Sequence, residues 1–337
     1  MRAAAPAVAR PPRPPAPPLP PSLSTTTTTH GHMPPQQAAP ALTLVTWDID
    51  GTLLRATGDR ANALHRAAFA SAWATVLGAP LDLQAIPHQG STDPLILLKG
   101  GVHTGAAATA AELMGNRDTG NGGPPLPPPV PPTADPASPL AAMVGEMLRF
   151  VGAAAPGAVA EGLELLPGVA TLLAALAARE DVLVGLVTGN LAPVAAAKVE
   201  ALGVSGHFTP LASGSEAGGG LPSDTTPAAA PLLVGGFGSD HCSGNYEEPW
   251  HDRTELIRLA RARAQAAAGA GGRVGRVVHL GDTPFDLLAA VGAGADAVGV
   301  CTGVHTRAEL EAVEGGGVVV LDDLSDTAAA LAALGLA

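Results

Sequence analysis

From residue 42 onward, short apolar runs alternate with amphipathic stretches. Residues 42–47 are an apolar run closed by Asp48, Asp50 and Gly51, the pattern of a buried strand entering a tight turn. Residues 59–77 carry Leu64, Ala68 and Trp73 at helical spacing, and a second helical segment runs near 93–114. Helical character returns at 140–151 and 168–179. A second buried strand covers 181–187 and is closed by Thr188-Gly189-Asn190, with a helix over 192–202 behind it. A helix over about 253–268 leads into a third strand, 274–280, which ends at Gly281-Asp282-Thr283. Helix 285–291, strand 296–300, strand 318–321 and helix 325–334 complete the series. Strands alternating with helices, each strand ending in polar residues, predict an α/β fold with a doubly wound parallel sheet. The helical stretch between the first two sheet strands reads as a separate module at 54–165, leaving 41–53 and 166–337 as the core.

Three stretches break the pattern. Residues 1–40 hold Arg2, Arg10 and Arg13 as their only charges, with prolines crowded into 11–21 and hydroxyls into 22–29. A basic, hydroxyl-rich, acid-free start fits an organellar transit peptide, chloroplast ahead of mitochondrion; a disordered Pro-rich tail on a cytoplasmic protein is the alternative. Residues 115–139 are too rich in Pro and Gly to pack as an element and read as a disordered insertion, and 213–232 as a low-complexity loop.

The chain has 337 residues, 47% of them hydrophobic but only 3% aromatic, so Ala, Val and Leu must fill the core. A formal net charge of −12 argues against nucleic acid or an anionic membrane as partner. No apolar run is long enough to span a bilayer. Cys242 and Cys301 are far apart, with no metal-ligand spacing and no disulfide framework, and read as buried or idle thiols.

Chemistry concentrates at three strand ends, which in a parallel sheet lie along one edge. The first offers Asp48 and Asp50, spaced for one carboxylate to attack and a second to move a proton. The second offers Thr188 with the amides of Gly189 and Asn190. The third offers Asp282 and, one helical turn later, Asp286. At average composition, an Asp-x-Asp-Gly-Thr string is expected by chance in roughly a few chains per thousand of this length.

The three motifs, in this order, resemble the haloacid dehalogenase superfamily of phosphohydrolases, over roughly residues 42–323. They are closest to the phosphoglycolate phosphatase-like branch, whose helical cap follows the first motif. Gly90-Ser91-Thr92-Asp93 and Phe237-Gly238-Ser239-Asp240 look like loops of that branch. The resemblance implies a Rossmann-like core with an inserted α-helical cap. It implies Asp48 as nucleophile and Asp50 as general acid and base. Asp48, Asp282, Asp286 and the Asp50 carbonyl would hold Mg2+. Thr188, Gly189 and Asn190 would bind the phosphate. Thr92 and Asp93 would bind substrate from the cap, or merely start the helix that follows, since Asp93-Pro94 is a favourable helix start.

The superfamily also places a cation, usually lysine, beside the nucleophile. Lys99 falls in the cap, and Lys198, eight residues past Asn190, looks too early, so Arg253 is assigned the role, as a fixed charge. His65 faces either the interior or the cleft; the other histidines and Trp47 read as structural. The implied activity is a Mg2+-dependent phosphomonoesterase acting on a small phosphorylated metabolite through an aspartyl-phosphate. Phosphoglycolate is the first candidate, ahead of sugar phosphates and nucleotides. A sugar phosphomutase and a catalytically inactive binding protein remain as alternatives. Dehalogenation is disfavoured because a halide leaves without the proton that Asp50 would supply.

Overall fold

The first buried run becomes β1 (Ala41–Trp47), whose last four residues are inaccessible to solvent. In the computed structural model the described residues are 41–115, 130–155, 157–211, 233–269, 272–315 and 317–337. The expected tail at 1–40, most of the Pro-rich stretch and the loop at 213–232 lie outside them. After the turn, β2 (Leu54–Ala56) leads to α1 (Ala63–Ala72), α2 (Asp93–His103), α3 (Ala110–Leu113) and α4 (Pro139–Gly152). The chain returns through β3 (Leu163–Leu165), which pairs antiparallel with β2. Then follow α5 (Val169–Ala177), β4 (Val182–Thr188), α6 (Ala192–Ala201), β5 (Gly235–Phe237) and α7 (Trp250–Ala268). Last come β6 (Arg273–Gly281), α8 (Pro284–Ala293), β7 (Asp296–Val300), α9 (Arg307–Glu311), β8 (Val318–Leu321) and α10 (Thr327–Ala333).

The main sheet is parallel throughout, in the order β5-β4-β1-β6-β7-β8. Strand β1 is central, and the chain winds outward from it in both directions. The three strands that carry the motifs are therefore neighbours, and their carboxyl ends meet where the winding reverses. Alternation along β1 sends Val45 and Trp47 to one face, with α5, α6 and α10, and Leu44 to the other, with α7 and α8.

The segment between β2 and β3 has a core of its own. Phe69, Trp73, Leu95, Leu98, Met143 and Met147 pack together, and Leu191 and Val194 of α6 and its approach join them. This contact seats the helical layer over the strand ends.

Several elements differ from the sequence expectation. The helix expected over 59–77 begins at Ala63, after Asn62 in a left-handed conformation (φ 54°), and its last turn, Trp73–Leu77, is π-helical. The helix expected over 93–114 divides into α2 and α3. It breaks at Gly105 (φ 72°), a conformation that suits glycine and ends the helical run. Strands β2, β3 and β5 have three residues each, too few to show a period. The last part of the Pro-rich stretch is packed: the Val130 amide donates to His241 Nδ1 (3.1 Å) and its carbonyl accepts from Cys242 N (2.9 Å). Ser138 then caps α4 through the Ala141 amide, with Pro139 as the first helical residue.

Candidate active site

The loop after β1 is folded against the end of β6. The Asp48 amide donates to Leu280 O (2.9 Å), Thr302 Oγ1 donates to Gly51 O (2.6 Å) and Thr52 Oγ1 donates to Asp282 Oδ1 (3.2 Å). Gly51 has φ 96°, and a Cβ there would lie 2.3 Å from Asp282 Oδ2, so the turn tolerates only glycine. The result brings oxygens of Asp48, Asp282 and Asp286 within 4.8 Å of one another, all buried.

Arg253, in the first turn of α7, reaches into this cluster. Its Nη1 is 2.8 Å from Asp48 Oδ1 and 2.7 Å from Asp286 Oδ1, and the residue is 2% exposed. Its Nε is buried with no partner. Burial, opposed by Arg253, pushes the Asp48 carboxyl up to about 6. Burial also raises Asp282 well above the usual range, with the charges of Asp286 and Asp48 adding to the effect. Burial acts on Asp286 in the same sense, but Arg253 and His279 outweigh it and hold that group at about 2. Asp286 is also the N3 residue of a capping box: Thr283 N and Oγ1 donate to its Oδ2 at 3.1 and 2.7 Å. One carboxylate oxygen thus builds the helix start while the other faces Arg253. Three buried carboxylates, one of them strongly disfavoured as an anion, form a hard-oxygen site in want of positive charge, and they fit a small divalent cation.

Asp50 lies on the other side of the same turn. Lys198 Nζ sits 2.9 Å from its Oδ1 and 2.7 Å from its Oδ2. Asn190 Nδ2 donates to Oδ2 (2.9 Å) and Asn62 Nδ2 to Oδ1 (3.3 Å). Burial works to raise the Asp50 carboxyl, but Lys198 prevails and holds it at about 2. The sequence set Lys198 aside as too early in the chain for the cation beside the nucleophile, and gave it no other role. Helical side chains lean toward the helix N-terminus, and a lysine more than a turn along can therefore return its ammonium to the strand end. A signal was present: Lys198 falls inside the buried stripe Val194-Ala195-Val199.

Thr188, Gly189 and Asn190 form the second strand-end loop. Thr188 Oγ1 accepts from Asn190 N (3.3 Å) and Nδ2 (2.9 Å), and Asn190 Oδ1 is buried without a partner. The expected cap contacts lie against this loop. The Asp93 amide donates to Gly189 O (2.8 Å), and Asp93 Oδ2 accepts from the Leu191 amide (2.9 Å) and lies 3.1 Å from His65 Nε2. Asp93 thus joins the helical layer to the sheet while still bordering the cavity. Thr92 is the N-cap of α2 by position but makes no capping bond, and its Oγ1 is buried and unpartnered. Asp240 of the second branch-like loop is spent on Arg263, at 2.6 and 2.8 Å, and braces β5.

A cavity of about 480 Å³ opens above these groups. Asp48, Asp50, Thr188, Arg253 and Asp282 line its floor, and His65, Arg66, Phe69, Leu83 and His88 line the wall supplied by the helical layer. His65 therefore faces the cleft. Asn62, Lys198 and Thr302 are site-building residues that the motifs did not reveal.

Residues 255–327 match a family model described as HAD-hydrolase-like. No curated protein matches the chain at a significant level. Among solved structures, a hydrolase from Pseudomonas syringae is 18% identical, with a TM-score of 0.48 over 86% of this chain and 98% of that one. A haloacid dehalogenase-like hydrolase from Streptococcus pneumoniae is 18% identical, with a TM-score of 0.41 over 87% and 98%. CbbY from Rhodobacter sphaeroides, in complex with phosphate, is 19% identical, with a TM-score of 0.41 over 85% and 96%. Likenesses at this level say nothing of the reaction.

Proposed function

We propose that this chain, a HAD-like hydrolase by its matched segment and its strand-end motifs, hydrolyses phosphate monoesters of small metabolites. The observation that carries the reading is the convergence of Asp48 and Asp50 with a buried carboxylate cluster and a buried arginine on the floor of one cavity.

Asp48 attacks phosphorus. Arg253 holds one oxygen of its carboxylate and leaves the other for the new bond. The phosphoryl oxygens are received by Thr188 and the amides of Gly189 and Asn190, at the end of β4. As the ester bond breaks, Asp50 gives a proton to the leaving oxygen, and it later takes one from the water that attacks the aspartyl-phosphate. In the arrangement seen, Lys198 favours the Asp50 anion, the form needed for that second step. Mg2+ bound by Asp48, Asp282, Asp286 and the Asp50 carbonyl would supply positive charge that lets two anions approach each other. The helical layer covers the site and its wall residues choose the alcohol. Phosphoglycolate is the first ester to try, followed by sugar phosphates.

Free phosphate measured over a panel of esters, with and without Mg2+, tests this. Release that needs Mg2+ and is lost in Asp50→Asn is expected. Silence on every ester, from a chain folded by circular dichroism, would sink the reading. Isomerisation of a sugar phosphate without free phosphate would favour a mutase. The organellar address proposed for residues 1–40 is tested by fusing that segment to a fluorescent reporter; diffuse cytoplasmic signal would reject it.

A further inference from the structure

The chain has two lysines, and Lys198 is completely buried. Its neighbours on α6, Ala195 and Val199, belong to the apolar core, so its stem runs along hydrocarbon and its ammonium is shut off from water. A buried ammonium persists only where a counter-charge is fixed beside it. Here that charge is Asp50, whose side chain is 34% exposed at the cavity edge. One partner is therefore immobile, and the other could turn toward solvent if released.

The contact is also shaped. Lys198 Nζ straddles both carboxylate oxygens, at 2.9 and 2.7 Å, while Asn190 and Asn62 each take one oxygen from the side. Three donors from α6, the loop after β4 and the approach to α1 together fix both the position and the plane of the Asp50 carboxylate. The donor from the helical layer is the longest, at 3.3 Å, and Lys198 is the only charged one.

We propose that Lys198 is the positioning residue for Asp50: it holds the proton-transfer carboxylate at the cavity edge, facing the leaving oxygen, as Arg253 holds the nucleophile. The inference rests on the phosphatase reading of Asp50. It gives the two buried cations separate duties, one for each carboxylate of the first motif. A purely structural ion pair would tie α6 to the strand end and affect every substrate alike.

The test uses the full chain with Mg2+, para-nitrophenyl phosphate, and one alkyl phosphate that the wild type hydrolyses. Nitrophenolate departs without a proton, and an alkoxide does not. Lys198→Met is expected to lower kcat/KM for the alkyl ester by about tenfold or more and for the aryl ester by less than about threefold. With the aryl ester, a burst of nitrophenolate should precede the steady state, because breakdown of the aspartyl-phosphate still needs Asp50. Inhibition by inorganic phosphate should change by less than about twofold, since the phosphate cradle is untouched. Asp50→Asn/Lys198→Met should be no slower than Asp50→Asn alone.

Equal losses on both esters, wild-type rates in Lys198→Met, or a double variant slower than Asp50→Asn would overturn the proposal. Should Lys198→Met not fold, the double variant leaves no unpaired charge, and its comparison with Asp50→Asn decides the matter. A wild type silent on all esters would sink the phosphatase reading itself, and this inference with it.

Discussion

Arg253 and Lys198 are both buried cations, and each meets a carboxylate of the same short turn, yet they stand in different surroundings. Arg253 lies among three carboxylates that have almost no exposure, and a single nitrogen serves Asp48 and Asp286 together. Lys198 meets one carboxylate, partly exposed, and embraces both of its oxygens. The first pair neutralises a crowd of charge; the second orients one group. The difference teaches that a turn carrying two aspartates two residues apart can hold them in unlike electrostatic environments, because the turn after β1 sets Asp48 beside Arg253 of α7 and Asp50 beside Lys198 of α6. A nucleophile and a proton-transfer group on one motif need that separation.

The comparison can be broken at its centre first. Asp48→Asn keeps the shape of the turn but removes the nucleophile, and turnover should fall by about ten-thousandfold or more, read as phosphate release. Next is Arg253→Ala, which leaves Asp48 and Asp286 facing each other uncompensated. It should lower kcat by roughly a hundred- to a thousandfold and stability by about 3 kcal/mol, read from kinetics and urea unfolding. Because one nitrogen makes both contacts, Arg253→Lys should come within about tenfold of wild type. Failure of the lysine would show that the planar guanidinium itself is required.

Smaller is the effect of pH on the metal-free protein. Burial, against Arg253, puts Asp48 at about 6, and burial with neighbouring charge raises Asp282 too. Both groups bind protons more tightly folded than unfolded, so stability should rise as pH falls from 7 toward 5. Asp50 and Asp286 sit at about 2, with burial overcome by Lys198 and Arg253 respectively. Their contribution is complete above the unfolded carboxylate range and is lost only as pH falls through about 2. A chelated sample should therefore melt roughly 3 °C or more higher at pH 5 than at pH 7, and Mg2+ should remove the difference. A Tm that falls over that interval would show the carboxylate cluster is already compensated.

The smallest change is at Asn62. Asn62→Gly keeps the left-handed backbone and removes one donor from Asp50, for about a threefold loss in kcat at an unchanged Tm. Asn62→Ala adds backbone strain of roughly 1 kcal/mol, seen as a lower Tm.

The strand-end motifs were legible because each is a run of adjacent residues at the end of a periodic apolar segment. A parallel, doubly wound sheet followed from them, whereas the strand order β5-β4-β1-β6-β7-β8 is seen only in the structure. The strand Gly235–Phe237 was not legible: two of its three residues are glycines, and only pairing with β4 makes it a strand. The break of the helix expected over 93–114 was hidden for a related reason, because Gly105 sits in a sequence whose apolar spacing continues. Thr92 and Asp93 read from the sequence only as cap-loop residues or a helix start; their place beside the second motif loop is seen in the structure. Which way they turn is a matter of partners, and Asp93 chose Leu191 and His65.

By itself the sequence determined that Asp48, Asp50, Thr188, Asp282 and Asp286 share one edge of a parallel sheet. Local periodicity and strand direction suffice for that. The resemblance put Arg253 beside the nucleophile; only the tertiary structure decided that Lys198 serves Asp50 and that one Arg253 nitrogen serves Asp286 as well. Arg253 and Lys198 lie 205 and 148 residues from the aspartates they meet, and no local pattern encodes a contact across such distances. The choice is made where helices α6 and α7 cross the sheet and the length and lean of each side chain carry its charge to the strand ends.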